Sequence, residues 1–442
     1  MERSPPPERL PRRDFLRGTL GGAVGMFGFP AAAEGRESAA DLDRIERDCL
    51  LYFLENRTEE GLFADRQRNR GERYDLDAVP CSLSATGMGL IALAVAAQKP
   101  HRLLTPSEAS ERCGQTCDTA RGKLPQDHGV LPHYVKGKQL AVWGDDARST
   151  VETAWLVAGA GCAAELLHDD ALREAAAALH DRVDWRYWSC KETGMLLHGK
   201  NGDGDVLPGR WDRLNNETAF MYVLAAGAEG NKRLDLSSWK QLGTFDGEVA
   251  GVKFASADLG LFAHQYGFDL LHLREWKNPG SIDLLEQARL ATRANILASQ
   301  AMSKDFSTFR TGLWGLSAGD GPSGPDSAYR IYTPRSCDGT AHVMSSVASI
   351  AHDQAAVLRN LLLADDIPNA RGRYGYGNIN LENGTWVSGD VVGIDVGAAL
   401  LALDNHLHDD RIRHAFHAFP PVQRGLKALG FRRRRDLLAT DG

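Results

Sequence analysis

Four segments of the chain bring a tryptophan close to carboxylates near a loop–helix junction. Sugars present an apolar C–H face and a rim of hydroxyl groups, so a site for them needs flat aromatic rings with carboxylates, amides and imidazoles around them. The four segments therefore predict a carbohydrate-binding site. They contain Trp143, Asp145, Asp146 and Glu152; Trp211, Asp212, Asn216 and Glu217; Trp314 and Asp320; and Trp386 and Asp395.

Three of these acids stand at the start of apolar segments and could serve in hydrolysis. Cleavage of a glycosidic bond needs one protonated carboxyl group and one ionised carboxylate on opposite sides of the bond. Each acid also has a structural interpretation. Ser149 and Glu152 have the spacing of a capping box, Asp395 suits a helix N-cap, and acids such as Glu217 are common in first helical turns. The spacing leaves both interpretations open, although the glycines around Asp395 favour a functional role.

No metal or cofactor site is predicted. Residues 201–205 resemble the start of a calcium loop, but Val206 stands where the sharp turn needs glycine. Cys113 and Cys117 lie four apart on a predicted helix without the paired spacing of a zinc site. His264 falls inside an aromatic helical segment, where a buried and hydrogen-bonded histidine is the default.

Helical periodicity dominates the chain, and segments apolar all round alternate with amphipathic ones. This alternation is what an inner and an outer ring of helices require, so it predicts an all-α (α/α)6 toroid. A helical solenoid remains an alternative, but no exact repeat favours it. The predicted helices span residues 42–56, 84–97, 105–121, 150–167, 171–183, 217–226, 257–267, 282–301, 342–350, 354–364, 395–407 and 411–419.

Long polar connections separate these helices, and loops of such length in a compact fold are usually functional. No Pro/Ser-rich linker follows residue 40, so residues 34–442 are predicted to form a single domain. The connections are residues 126–148, 194–213, 315–338 and 371–393.

The first 33 residues have the order of an export signal. Arg12-Arg13 is followed by a glycine-rich apolar stretch and by Ala31-Ala32-Ala33. We expect export by the twin-arginine translocase to the periplasm or the medium, with cleavage after Ala33. The apolar stretch is too short to span a bilayer stably. The alternative is a disordered basic tail.

Composition restricts the partners. The formal net charge of −7 argues against nucleic acid, which attracts positive surfaces. The seven cysteines have no repeated spacing, so they do not form a disulfide framework. An oligo- or polysaccharide is the expected partner.

Taken together, these motifs resemble the bacterial glucoamylase-like domain family, which includes endo-β-1,2-glucanases and the hydrolase-like part of cyclic β-1,2-glucan synthases. The most specific matches are Trp314-Gly315-Leu316 and His264-Gln265-Tyr266. The matching stretches follow the family's order over nearly all of residues 34–442. They are 84–90, 149–154, 183–185, 211–212, 216–217, 262–266, 314–322, 338–340 and 393–397.

The resemblance implies an (α/α)6 barrel with a central groove and inverting hydrolysis of a β-glucan, most simply a β-1,2-linked one. Glu217 would match the general acid and Asp395 the general base, with the proton relayed through a substrate hydroxyl. The resemblance further places five residues in the sugar subsites: His264, Gln265, Tyr266, Trp314 and Asp320.

Departures from the family pattern motivate the first of two alternatives, and the second follows because toroids also host lyases. Ala147 stands where relatives have an acid, Glu152 replaces an aspartate, and Val396 replaces a glutamine. One alternative is a non-catalytic envelope protein that binds a polysaccharide during glucan export or processing. The other is a polysaccharide lyase with Tyr266 or His264 as the base.

Overall fold

The structure, a computed structural model, describes residues 39–244, 247–322 and 329–438. These residues contain fifteen α-helices and seventeen short strands. The predicted export signal lies outside the described residues. The helices are α1 (Ala39–Glu55), α2 (Leu83–Ala96), α3 (Pro106–Gly122), α4 (Thr150–Leu167), α5 (Asp170–Arg182), α6 (Asn216–Ala226), α7 (Phe262–Gln265), α8 (Leu284–Ala301), α9 (Ser307–Arg310), α10 (Val343–Val347), α11 (Gln354–Asp365), α12 (Gly393–Leu407), α13 (Arg411–Ala418), α14 (Pro420–Leu429) and α15 (Arg434–Leu438).

The strands form small antiparallel sheets in the connections between helices. One of them joins distant parts of the chain, because β1 pairs with β16 in the register Arg66 to Val392. The strands are β1 (Arg66–Arg68), β2 (Pro80–Ser82), β3 (Tyr134–Lys136), β4 (Val142–Trp143), β5 (Asp146–Ser149), β6 (Gly199–Asn201), β7 (Gly247–Val249), β8 (Val252–Phe254), β9 (Trp276–Lys277), β10 (Ala318–Gly319), β11 (Arg330–Ile331), β12 (Arg371–Gly372), β13 (Gly375–Tyr376), β14 (Ile379–Asn380), β15 (Trp386–Val387), β16 (Asp390–Val392) and β17 (Arg432–Arg433).

The predicted alternation of helices is confirmed, and the fold is an (α/α)6 toroid. Helices α2, α4, α6, α7, α10 and α12 are buried on nearly all sides and form the inner ring. Amphipathic helices such as α3 and α5 bury one face against them. No described helix has the length and apolar character needed to cross a bilayer.

Two glycines set the spacing of the inner helices α2 and α4. A Cβ atom on Gly87 would stand 2.2 Å from the carbonyl oxygen of Trp155, and one on Gly159 would stand 2.0 Å from that of Gly87. Both distances are far below van der Waals contact, so the two backbones can meet only because neither residue has a side chain. This contact brings the first turns of α2 and α4 together.

Side chains before the inner helices define where they begin. Ser82 accepts a hydrogen bond from the Ala85 amide at the start of α2, and Asn215 accepts one from the Thr218 amide at the start of α6. Ser149, in contrast, makes no capping hydrogen bond at the start of α4. The capping-box interpretation of Glu152 is therefore wrong.

The helix predicted at 257–267 is much shorter than expected. Helix α7 covers Phe262–Gln265, and a 3₁₀ turn at Gly267–Asp269 follows it. The amides of Leu261 and Phe262 donate to Leu316 and Ser317, so tertiary contacts replace local helix formation. The predicted helix at 342–350 likewise narrows to Val343–Val347.

Helix α14, at Pro420–Leu429, is not among the helices predicted from the sequence. Proline is compatible with the first helical turn, and Pro420 begins α14 there. Gly227 and Gly425 then allow α14 to approach α6 closely.

Candidate active site

Glu217 lies in the first turn of α6 with a carboxyl group that is almost fully buried. Its exposed fraction is 9%, and no described residue forms a hydrogen bond with its carboxylate. Burial, together with the negative charge of Glu152, raises the pKa of Glu217 to about 8. The group is therefore protonated at neutral pH and able to donate a proton.

Asp395 lies in the first turn of α12 and is 6% exposed. Burial raises the pKa of Asp395 to about 7, although a hydrogen bond from the Tyr266 hydroxyl, 2.7 Å long, opposes the increase. The N-cap of α12 is Val392, so Asp395 is not an N-cap. A carboxylate with this pKa is substantially ionised at neutral pH.

Tyr266 places the two acids in one site. Burial raises the pKa of its phenol, and the negative charges of Asp395 and Glu217 both raise it further. The phenol thus remains protonated and lies within the electrostatic reach of both carboxyl groups. Two carboxyls that are far apart in the sequence converge on one tyrosine.

Backbone contacts hold Tyr266 beside α6. A Cβ atom on Gly267 would lie 1.9 Å from the carbonyl oxygen of Asn216, so only glycine permits this approach. The Asn216 amide group donates to the carbonyl oxygen of His264 at 2.6 Å. Asn216, predicted to bind substrate, is fully buried and fastens the turn that carries Tyr266, while its Oδ1 atom has no hydrogen-bond partner among the described residues.

Arg66 lies among further acids whose charges, like its own, act on Asp395. Its guanidinium lies 3.2 Å from Asp320, 3.5 Å from Asp65 and 3.9 Å from Asp390. Burial raises the pKa of Asp65 to about 6 and also raises that of Asp320, while Arg66 opposes both increases. Asp320 was predicted as a site residue, whereas Arg66 and Asp65 were not.

Glu152 is fixed by hydrogen bonds from the start of α2. The Ser84 amide and hydroxyl donate to its two oxygens at 2.5 and 2.7 Å, and the Ser82 hydroxyl donates at 3.1 Å. The side chain is 5% exposed. The functional interpretation of Glu152 thus gains a physical basis, because its fixed charge acts on Glu217.

His133 links Glu152 to Asp146. Its Nε2 atom lies 3.2 Å from Glu152, and its Nδ1 atom lies 2.8 Å from Asp146. Burial lowers the pKa of His133, but the charge of Glu152 and the hydrogen bond with Asp146 outweigh it and raise the pKa to about 9. The imidazolium is therefore charged at neutral pH. His133 lies in the connection 126–148 that was predicted to be functional, but it was not among the predicted site residues.

Next to Ala147, where the family has an acid, Asp146 supplies a carboxylate. A bulge in the pairing of β5 with β6 leaves Ala147 buried and without a paired residue on β6. The carboxylate of Asp146 lies 2.8 Å from Nδ1 of His133. Asp145 is exposed, and its side chain takes no part in this network. Val396 is fully buried in α12.

Exposed aromatic rings lie around these polar groups. Trp143 is 43% exposed on β4 and pairs across the sheet with Tyr134, whose ring stacks on His133 with centroids 4.0 Å apart. Tyr329 is 38% exposed and lies within the electrostatic reach of Asp395. Both rings offer the flat surfaces on which sugars stack.

The predicted residues Trp211, Asp212 and Trp386 are half-buried. The Trp211 indole donates to the Thr150 hydroxyl at 3.1 Å, which places it at the start of α4, near Glu152. Asp212 accepts the Gly243 amide through its backbone. Trp386 lies on β15, which pairs with β14.

Three predicted subsite residues direct their polar atoms away from the acids. Gln265 donates to Thr292 on the outer helix α8, and the Trp314 indole donates to Ala356 on the outer helix α11. His264 faces the Ser256 carbonyl, and burial lowers the pKa of its imidazole to about 4. His264 Nδ1 and Gln265 Oε1 have no hydrogen-bond partner among the described residues, so the expectation that these residues contact a sugar stays a prediction.

Comparisons with known proteins agree with this fold. Residues 210–420 match the model of the Glycoamylase family, described as "Putative glucoamylase". A putative glucoamylase from Bacteroides caccae is 21% identical with a TM-score of 0.78, over 89% of this chain and 99% of that chain. The endo-β-1,2-glucanase from Chitinophaga pinensis, in complex with sophorotriose and glucose, is 18% identical with a TM-score of 0.76, over 90% of this chain and 99% of that chain.

A more distant similarity is to the endo-β-1,2-glucanase from Talaromyces funiculosus in complex with sophorose. It is 11% identical with a TM-score of 0.60, over 91% of this chain and 88% of that chain. No curated protein sequence matches. At these identities the solved structures show the shared toroid.

The raised pKa of Glu217 predicts a pH-dependent cost in stability. Because the folded-state pKa lies above the value of 4.5 for a free carboxyl, the wild type loses stability as pH rises from about 4.5 through about 8. Glu217→Gln removes this loss. We expect the variant to be about 2–4 kcal/mol more stable than the wild type at pH 9, with the difference nearly absent near pH 5.

Urea unfolding at both pH values measures the difference. Glu111→Gln on the exposed side of α3 is the matched control and should change stability equally at both pH values. If Glu217→Gln and Glu111→Gln showed the same pH dependence, Glu217 would not be buried as described.

Proposed function

We propose that this protein is a glycoside hydrolase of the glucoamylase-like family that cleaves a β-linked glucan, with a β-1,2-glucan as the first candidate. One observation carries the proposal. Glu217 and Asp395, buried at the starts of two inner helices, both act on Tyr266 and have pKa values raised to about 8 and about 7. One acid and one base are thus present at the same pH.

Glu217 is the general acid in this proposal. Its carboxyl group is protonated at neutral pH and has no hydrogen-bond partner among the described residues, so its proton is free to move to the glycosidic oxygen or to a substrate hydroxyl that relays it. The fixed charge of Glu152 helps to keep Glu217 protonated. His133 in turn holds Glu152 in place.

Asp395 is the general base. The hydroxyl of Tyr266 donates to one of its oxygens, stabilises the ionised form and orients the carboxylate. The base removes a proton from water, which attacks the anomeric carbon on the face opposite to the leaving group. Such a displacement inverts the anomeric configuration.

The amide variants Glu217→Gln and Asp395→Asn test these roles. Each should lower kcat on the preferred glucan by about 10³-fold or more, because each removes one proton-transfer group. Release of reducing ends is measured across a panel of β-1,2-, β-1,3-, β-1,4- and α-linked glucans. Glu111→Gln and Asp118→Asn, both exposed on α3, are the matched controls and should retain full activity.

The same panel separates the alternatives. Tight glucan binding by the wild type without release of reducing ends would favour the non-catalytic polysaccharide-binding protein, and an unsaturated product that absorbs ultraviolet light would favour a lyase. An inverting hydrolase yields the α-anomer first from a β-linked glucan, which proton NMR detects. Full activity in either amide variant would refute the assignment.

The pH profile tests the role of Tyr266. We expect kcat/KM to rise near pH 7 as Asp395 ionises and to fall near pH 8 as Glu217 ionises. Because the Tyr266 hydrogen bond lowers the pKa of Asp395, Tyr266→Phe should move the acidic limb to higher pH. Tyr376→Phe, which removes a comparable bond to Asp365 on α11, should leave both limbs unchanged. A wild-type profile in Tyr266→Phe would contradict this assignment.

We also propose that the protein is exported through the twin-arginine translocase and acts in the periplasm or outside the cell. The support is the sequence of residues 1–33, which lie outside the described residues. Sequencing the N-terminus of the exported protein should find Glu34 first. Replacement of Arg12 and Arg13 by lysine should retain the protein in the cytoplasm, and export of this variant would contradict the proposal.

A further inference from the structure

A second group of polar side chains meets at the opposite end of the barrel from the proposed active site. It consists of Glu46 on α1, His101 in the connection after α2, and His408 directly after α12. The Nε2 atoms of His101 and His408 lie 3.0 and 3.3 Å from Oε2 of Glu46. One imidazole nitrogen or carboxylate oxygen from each of the three residues lies within 4.8 Å of the other two.

This group is separate from the carboxylates described above. Asp395 lies in the first turn of α12, whereas His408 follows its last residue. A helix rises by 1.5 Å per residue, so the two positions are about 20 Å apart along the barrel.

Two side-chain atoms in the group, one oxygen and one nitrogen, lack a hydrogen-bond partner among the described residues. The Oε1 atom of Glu46 is fully buried and accepts no hydrogen bond. Nε2 of His101, on a side chain only 5% exposed, lies near the Glu46 carboxylate but not in hydrogen-bond geometry. Buried polar atoms in proteins are almost always paired, so this pair needs an explanation.

Asp404 and Arg411 would hold the carboxylate of Glu46 in one orientation. Asp404 is fully buried at the end of α12, beside Glu46. The Nε atom of Arg411 lies 2.9 Å from both oxygens of Asp404. Carboxylates that bind metals commonly have neighbouring polar residues that fix their orientation through hydrogen bonds.

We propose that Glu46, His101 and His408 bind a divalent transition-metal ion, with zinc as the first candidate. Zinc bound to nitrogen and oxygen ligands at about 2.0–2.1 Å in tetrahedral geometry places neighbouring ligand atoms about 3.3 Å apart. The observed separations of 3.0 and 3.3 Å need little adjustment. Two imidazoles among three ligands favour zinc over calcium or magnesium, which prefer oxygen.

The ion would fasten three segments that are distant in sequence: α1, the connection after α2 and the end of α12. Because it binds the folded chain and not the unfolded one, it would stabilise the fold in proportion to its concentration. Its role is structural, since it lies far from the proposed acid and base.

A matched control is available nearby. His272, Glu275 and His414 form a second group with similar donors. However, His272 Nε2 lies 3.7 Å from Glu275 Oε1, and Glu275 and His414 are exposed. This looser group should not bind tightly.

The test uses the untagged full-length protein after treatment with a chelator. Titration with zinc chloride should raise Tm, and elemental analysis after desalting should find one zinc per chain. Cobalt should add the visible absorption of a tetrahedral site. His408→Gln, at a side chain 17% exposed, should lose all three signals and remain folded, whereas His414→Gln should keep them.

Three outcomes would overturn the proposal. In the first, the wild type shows neither a Tm increase nor cobalt absorption at micromolar metal, and a proton shared by Glu46 and Asp404 then accounts for the group. In the second, His408→Gln and His101→Gln retain stoichiometric zinc. In the third, His414→Gln loses the zinc, which would place the ion in the second group.

Discussion

The structure depends on the burial of carboxyl groups that have little compensation. Removing a charged carboxylate from water is costly unless it gains hydrogen bonds or an opposite charge. Glu152 gains both, from Ser84 and His133. Glu217 has neither among the described residues, so burial keeps its proton in place. Asp395, with one hydrogen bond from Tyr266, falls between these two cases. Glu217 and Asp395 are similarly buried, so the hydrogen bonds and charges around each carboxyl group determine which one acts as the acid and which as the base.

The carboxyl groups differ in their surroundings because they lie in the first turns of different inner helices of the toroid. Glycine contacts bring α2 against α4 and bring the turn at Gly267 against α6, so first turns from distant parts of the chain share one small volume. The N-terminus of a helix favours negative charge, which by itself would lower the pKa of a carboxyl there. Burial and the charge of Glu152 nevertheless raise the pKa of Glu217. A site of this kind lowers the stability of the fold, as is common where function requires strain or buried charge.

The sequence predicted the features that depend on local pattern. Apolar periodicity located the inner helices, and the resemblance assigned Glu217 and Asp395, which the structure places around one tyrosine. It did not predict Arg66 or His133, because their roles depend on long-range contacts such as the pairing of Arg66 with Val392 that no local pattern encodes. The motif at 264–266 was assigned to the site as a unit, and among the described hydrogen bonds of its three side chains the one to an acid is made by Tyr266. Neighbouring residues in a short helix point in different directions, so a matching motif does not give each member the same role.

The same geometry gives the two ends of the barrel opposite electrostatic character. Inner helices α2, α4, α6 and α12 begin near the carboxylates, so α2 and α12 end at the opposite face, where His101 and His408 follow them. Helix C-termini expose unpaired carbonyl groups and favour cations. A metal ion held by Glu46 and two imidazoles would therefore gain from the dipoles there, as anionic groups do at the other end. The closed ring thus separates a position suited to proton transfer from one suited to a stabilising cation, and α12 joins them.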